Sequence, residues 1–170
     1  PTVGEWANTR IPNAQTASPG SSPTILGDPS AGQAWIYYRG AEGYIWELYR
    51  NPTTGIWANN KVPALEPAAA GTTPVTGRNS TTNAMWIYYQ GADGYMWELF
   101  RNPTVGEWAD TKIPNAEAVA PGTSPTMLGD PSTGEAWIEY WGADGYMWEL
   151  WRNPSNGIWA NGQFPTTAHR

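Results

Sequence analysis

Apolar and aromatic positions in this sequence come in short runs separated by Gly- and Pro-containing turns. Trp35, Tyr37 and Arg39 alternate with Ile36 and Tyr38, the two-residue period of a strand. In the next run Tyr44, Trp46 and Leu48 share a face opposite Ile45, Glu47 and Tyr49. Gly40-Ala41-Glu42-Gly43 between them is a Gly-rich hairpin turn. The Pro-free stretches 30–51, 75–102 and 132–153 each hold such a turn near the middle, which excludes long helices.

The pattern recurs every 51 residues: Trp6, Trp57, Trp108 and Trp159 keep this spacing, as do Trp35, Trp86 and Trp137, and Trp46, Trp97 and Trp148. The element PTVGEWANTRIPNA occurs in four versions and AWIYYRGAEGYIWELYRN in three. Each repeat predicts four antiparallel strands, in the first case Ser22–Gly27, Trp35–Arg39, Tyr44–Arg50 and Ile56–Val62. The longer connection Pro63–Thr73 follows. Three strand spacings span roughly 14 Å, which about ten residues can cross. A chain that ends each meander on an outer strand and returns to an inner one builds a propeller blade. The expected fold is therefore all-β, one repeat domain over 1–170 with blades near 20–64, 71–115 and 122–166. Segment 1–13 is then a surplus strand, and Gly4–Pro12 is expected to clasp a blade of another copy unless the polypeptide continues before Pro1. Three blades do not close a ring, so the expectation is a homodimer completing six blades or a longer array.

Composition narrows the chemistry. Charged residues are 14% of the chain, against roughly 25% usually. The 12 Trp, 9 Tyr and 2 Phe argue against disorder despite 19 Gly and 16 Pro. Net charge is −6 with no run of Lys or Arg, which argues against nucleic acid. No apolar stretch is long enough to insert in a membrane as a helix. With no Cys and a single His, His169, there is no soft metal site, disulfide or thiol nucleophile, and no cofactor is expected. The chain starts at Pro1, so a leader could have been removed, and an extracellular location is expected.

Glu47, Glu98 and Glu149 recur inside W-E-L, and a carboxylate in an apolar strand needs a partner. Arg50, Arg101 and Arg152 recur too, but three residues on they face the other way, so any pairing crosses strands or blades. The alternative partner is a sugar hydroxyl, beside a ring that covers the sugar's apolar face. Asp93-Gly94 and Asp144-Gly145 offer one carboxylate per loop, too few for calcium, and read as hairpin turns. Asn79-Ser80-Thr81 is a glycosylation sequon, in a stretch where VTGRNSTTNA replaces TILGDPSAGQ.

The run WIYYQGADGYMWEL followed by GxW resembles the blade of the fungal fucose-specific lectins, the Aleuria-lectin-like six-bladed propellers. In that family an Arg early in the second strand, a Glu twelve residues later and an aromatic from the adjacent blade hold the sugar. The resemblance places the Glu at Glu47, Glu98 and Glu149, and the Arg position at Trp35, Trp86 and Trp137. It puts the adjacent-blade aromatic at Tyr88 for the first pocket and at Glu139 for the second. The candidate sites are thus Trp35 with Glu47 and Tyr88, Trp86 with Glu98, and Trp137 with Glu149.

Three function classes follow: a multivalent carbohydrate-binding protein with glycan partners, an extracellular structural or self-assembling repeat protein whose rings only pack, and a glycosidase. Near-identical copies of one Glu fit repeated binding sites better than the asymmetric acid/base pair of catalysis, so a non-enzymatic lectin is the preferred reading.

Overall fold

A computed structural model describes residues 10–28, 31–79, 81–128, 133 and 135–165. Among them no helix forms and twelve strands do. Blade 1 comprises β1 (Thr24–Asp28), β2 (Gln33–Arg39), β3 (Ile45–Arg50) and β4 (Trp57–Lys61). Blade 2 comprises β5 (Val75–Arg78), β6 (Met85–Gln90), β7 (Met96–Arg101) and β8 (Trp108–Lys112). Blade 3 comprises β9 (Thr126–Leu128), β10 (Ala136–Trp141), β11 (Met147–Arg152) and β12 (Trp159–Gln163). Each blade is one antiparallel four-stranded sheet with its strands in chain order. β5 lies between β1 and β9, so the first strand of every blade is the inner one and the blades fan out around it. Three blades leave the ring open. Most of the surplus strand predicted over Gly4–Pro12 lies outside the described residues; Arg10–Pro12, its described end, is not strand.

The turns explain the repeated motifs. Gly91 sits under the Trp97 indole so closely that a Cβ there would lie 2.6 Å from the ring, and Gly40 and Gly142 meet Trp46 and Trp148 alike. The indole N–H reaches the turn's acid, 3.1 Å from Trp97 to Asp93 Oδ1. Asp93 also accepts from the Tyr95 N–H at 3.1 Å and from Lys112 Nζ at 3.0 Å. The GADGYMW run is thus a self-capping hairpin. At the other end of the blade, the Asn51 carboxamide accepts from the Thr53 and Thr54 N–H groups at 2.9 and 3.0 Å, an Asx turn.

The core lies between blades. All six residues of β6 are buried, because the middle blade is covered on both sides. Met85, Ile87 and Tyr89 join Trp35, Tyr37 and Ile45 of blade 1. Trp86 and Tyr88 join Ile138, Tyr140 and Leu150 of blade 3. Crossover segments clip neighbouring blades together. The Ala68 N–H donates to the Gly43 carbonyl of blade 1, and the Ala69 N–H to the Gln90 carbonyl of blade 2, both at 2.8 Å. The crossover is itself held by the outer strand: Asn59 and Asn161 donate to the Asn13 and Asn115 carbonyls at 2.7 and 2.9 Å. In blade 2 Asp110 takes that position and accepts from the Leu65 N–H at 2.5 Å. An amide becomes a carboxylate where the crossover presents a donor instead of an acceptor.

Candidate functional site

A polar cavity of about 310 Å³ opens between blades 1 and 2. The β2–β3 hairpin sets its floor. Trp35 pairs with Tyr49 in the strand register, and their rings stack 5.4 Å apart at 27°. Two residues along the same face, Tyr37 pairs with Glu47 and its hydroxyl donates to Glu47 Oε2 at 2.8 Å. Burial, and then the Glu47 charge, push the Tyr37 pKa far up, so the proton stays on the phenol and Glu47 is the acceptor. Glu47 Oε1 has only a long contact, 3.4 Å, from Asn60 Nδ2. Blade 2 supplies the facing wall with Asn83 and Arg101. Arg78 lies 4.7 Å over the Trp35 ring and donates to Asn83 Oδ1 at 2.9 Å.

Fifty-one residues on, between blades 2 and 3, Trp86 and Phe100 repeat the ring pair at 5.4 Å. The Tyr88 hydroxyl lies against the Glu98 carboxyl, whose Oε2 is buried with no donor in bonding geometry. Burial raises the Glu98 pKa, and Tyr88 and Arg152 oppose that rise. The third copy stands on the face of blade 3 turned away from blade 2. There Trp137 pairs with Trp151, and Glu149 with Glu139 instead of a Tyr.

The structure therefore brings Trp35 together with Glu47, and places Trp86 with Glu98 and Trp137 with Glu149 on common blade faces. It does not bring Tyr88 to the first cavity. Tyr88 is the cross-strand partner of Glu98 and points toward blade 3; Tyr37 does for Glu47 what Tyr88 does for Glu98. Trp35 is 4% exposed, with Tyr49 on one face and Arg78 on the other, so it supports the floor without presenting a free ring. Arg78, Arg101, Asn83 and Tyr49 were not among the candidates. The signals available were the Arg that recurs on the strand face opposite the Glu, and the lone Arg78 in the irregular VTGRNSTTNA. The sequon Asn79 is 7% exposed, and its side-chain oxygen accepts from the Thr81 and Thr82 N–H groups, both at 2.9 Å.

The sequence matches no family model and no curated protein. Solved structures do match. The lectin of Aleuria aurantia, as a mutant with Fucα1-6GlcNAc, superposes with a TM-score of 0.68 at 17% identity, over 96% of this chain and 51% of that one. The fold is that of a β-propeller. Another structure of that lectin, described as a six-bladed β-propeller with a novel fucose recognition mode, gives 0.67 at 17% identity, over 90% and 47% of the two chains. A fucose lectin from Kordia zhangzhouensis with methyl-fucoside gives 0.54 at 17% identity, over 83% and 97%. The chain spans about half the length of the Aleuria lectin chains it matches.

Proposed function

We propose that this chain is a non-enzymatic, multivalent carbohydrate-binding protein that takes glycans in pockets repeated between its blades and works as a homodimer. The observation that carries the reading is the blade 1–blade 2 cavity. A carboxylate with one oxygen tied to a buried phenol and the other turned to the cavity faces a guanidinium and an amide across a stacked aromatic floor. That set accepts from and donates to the vicinal hydroxyls of a sugar, while a ring such as Tyr49 meets its C–H surface. The unmatched Glu98 oxygen between blades 2 and 3 supports the same reading, because a buried acceptor without a donor is costly until a ligand hydroxyl reaches it. Fucosides are the first ligands to test, since fucose is named for the lectins of the same fold. Arg101 and Arg78, reaching in from blade 2, supply the cation that the resemblance places at the Trp35 position.

A glycan array probed with the 170-residue chain tests this. The expected result is selective binding to one class of terminal sugar, lost in the double variant Glu47→Gln/Glu98→Gln. No binding by a folded chain would leave the rings as packing alone. Turnover of aryl glycosides is the separate test for catalysis, and none is expected.

A further inference from the structure

One stretch breaks the 51-residue repeat, and it lies against the cavity between blades 1 and 2. The turn that joins the first two strands reads GDPSAGQ over 27–33 in blade 1 and GDPSTGE over 129–135 in blade 3, but RNSTTNA over 78–84 in blade 2. The change is directed in charge. Blade 1 carries one Asp in this turn and blade 3 an Asp and a Glu, whereas blade 2 carries one Arg and no acid. The backbone is kept at the same time: Asn83 stands at φ 67°, where Gly32 of blade 1 stands at 65°. A left-handed backbone favours glycine, so Asn83 preserves the turn at some cost and adds a side chain to it.

That side chain holds the Arg. Asn83 Oδ1 accepts from Arg78 Nε at 2.9 Å, and Gln33 Oε1 of blade 1 accepts from Arg78 Nη2 at 3.4 Å. The guanidinium lies 4.7 Å over the Trp35 ring. Gln33, Trp35 and Asn83 all line the cavity, and Arg101 lines it too. Burial, and then Glu47, push the Tyr37 pKa up, while Arg101 and Arg78 both pull it back, so both cations act on the phenol beside Glu47. Among the described residues Glu47 is the one carboxylate lining the cavity, and neither Arg78 nor Arg101 forms an ion pair. Two guanidinium charges therefore face one carboxylate, in a chain of net charge −6. Between blades 2 and 3 the corresponding turn contributes no Arg or Lys, and Arg152 is the cation that acts on Glu98.

We propose that the cavity between blades 1 and 2 takes an acidic sugar, a pyranose bearing a carboxylate, with the carboxylate set against Arg101 and Arg78 and ring hydroxyls on Glu47. The proposal rests on the carbohydrate reading of this cavity and gives the cavity a charge selectivity that the junction between blades 2 and 3 does not share. The spacing fits. Arg78 lies over Trp35, and Glu47 pairs with Tyr37, one same-face step along β2, or roughly 7 Å. A pyranose bridges such a step from a carboxylate on C5 to the hydroxyls on C2 and C3. Arg suits a carboxylate because its planar fork donates two parallel hydrogen bonds. The selectivity comes from the turn that departs from the repeat, not from the Arg and Glu that recur in every blade.

Calorimetry with matched glycosides tests this: methyl α-D-galactopyranoside and methyl α-D-glucopyranoside against the corresponding uronic acids, on the wild type and on Arg78→Gly/Asn83→Gly. The double variant restores the glycines of blade 1 and is expected to fold, which a thermal melt checks. Arg78→Met, which keeps an apolar stem over Trp35 and removes the charge, gives the same reading if the double variant melts early. The wild type is expected to bind a uronic acid about ten- to 100-fold more tightly than its neutral partner, the worth of a hydrogen bond to a charged group. Added NaCl is expected to weaken that preference, and the variants to lose most of it. Equal or weaker binding of the acids by the wild type overturns the acidic ligand and leaves the carbohydrate reading standing. A preference that survives in the variants overturns the role of the turn. A folded wild type that binds neither acidic nor neutral glycosides, by calorimetry and on the array, overturns the carbohydrate reading, and the acidic ligand with it.

Discussion

Replacing Glu98 by Gln is expected to move stability and binding in opposite directions. The carboxylate sits between blades 2 and 3 with Oε2 buried and without a donor, and burial raises its pKa against the pull of Tyr88 and Arg152. A carboxyl whose folded pKa lies above its unfolded value, about 4.3, takes up a proton on folding. Its contribution is therefore most favourable below the unfolded pKa and is lost as pH rises through the folded one. Gln keeps the shape and an acceptor for Tyr88 and carries no charge to desolvate. Thermal melts between pH 4 and 8 should find Glu98→Gln at least as stable as wild type at pH 7, with its advantage shrinking toward pH 4. Binding should weaken, because a hydrogen bond to a charged group is worth about 1.5–3 kcal/mol. At 1.4 kcal/mol per decade that is roughly ten- to 150-fold in Kd for this pocket by calorimetry. A variant that melts well below wild type at pH 7 while binding unchanged would refute the reasoning and make Glu98 a structural partner of Arg152.

Gly91→Ala should lower stability by about 1–3 kcal/mol, because the new methyl group would meet the Trp97 ring at 2.6 Å; chemical denaturation measures it. Ile87→Ala opens a cavity in the fully buried blade 1–blade 2 core and should cost about 2–5 kcal/mol, again by denaturation. Asp110→Ala removes the acceptor of the Leu65 N–H and should cost about 1–2 kcal/mol, with faster hydrogen exchange of that amide. Asp110→Asn should recover much of the loss, because the carboxamide oxygen still accepts from the Leu65 N–H.

Much of the blade was legible because its determinants are local. The hairpin centred on the Gly-rich turn puts Tyr37 across from Glu47, and the 51-residue period then repeats the strand order three times. The cavity between blades 1 and 2 was only half legible, because it is made by two blades. Which side of blade 2 Tyr88 faces depends on how blades stack, and that side decided its partner: Glu98, not Glu47. Arg101 was legible as a residue whose pairing must cross strands or blades, but not which Glu it would face: it lines the cavity with Glu47 across the blade junction. Arg78 lies in the one stretch that breaks the repeat, where periodicity carries no information. The exchange of Asn for Asp110 reads as noise along the chain and acquires its reason only from the reversed polarity of the crossover beside it.

The most direct measurement is a crystal structure of the chain soaked with methyl α-L-fucoside and with the methyl glycoside that an array ranks first. The account predicts sugar density in the cavity between β2–β3 and β6–β7, with a hydroxyl on Glu47 Oε1, another within reach of Arg101 or Asn83, and the ring's apolar side against Tyr49. Clear, well-occupied sugar elsewhere on the molecule, with this cavity empty, would contradict it.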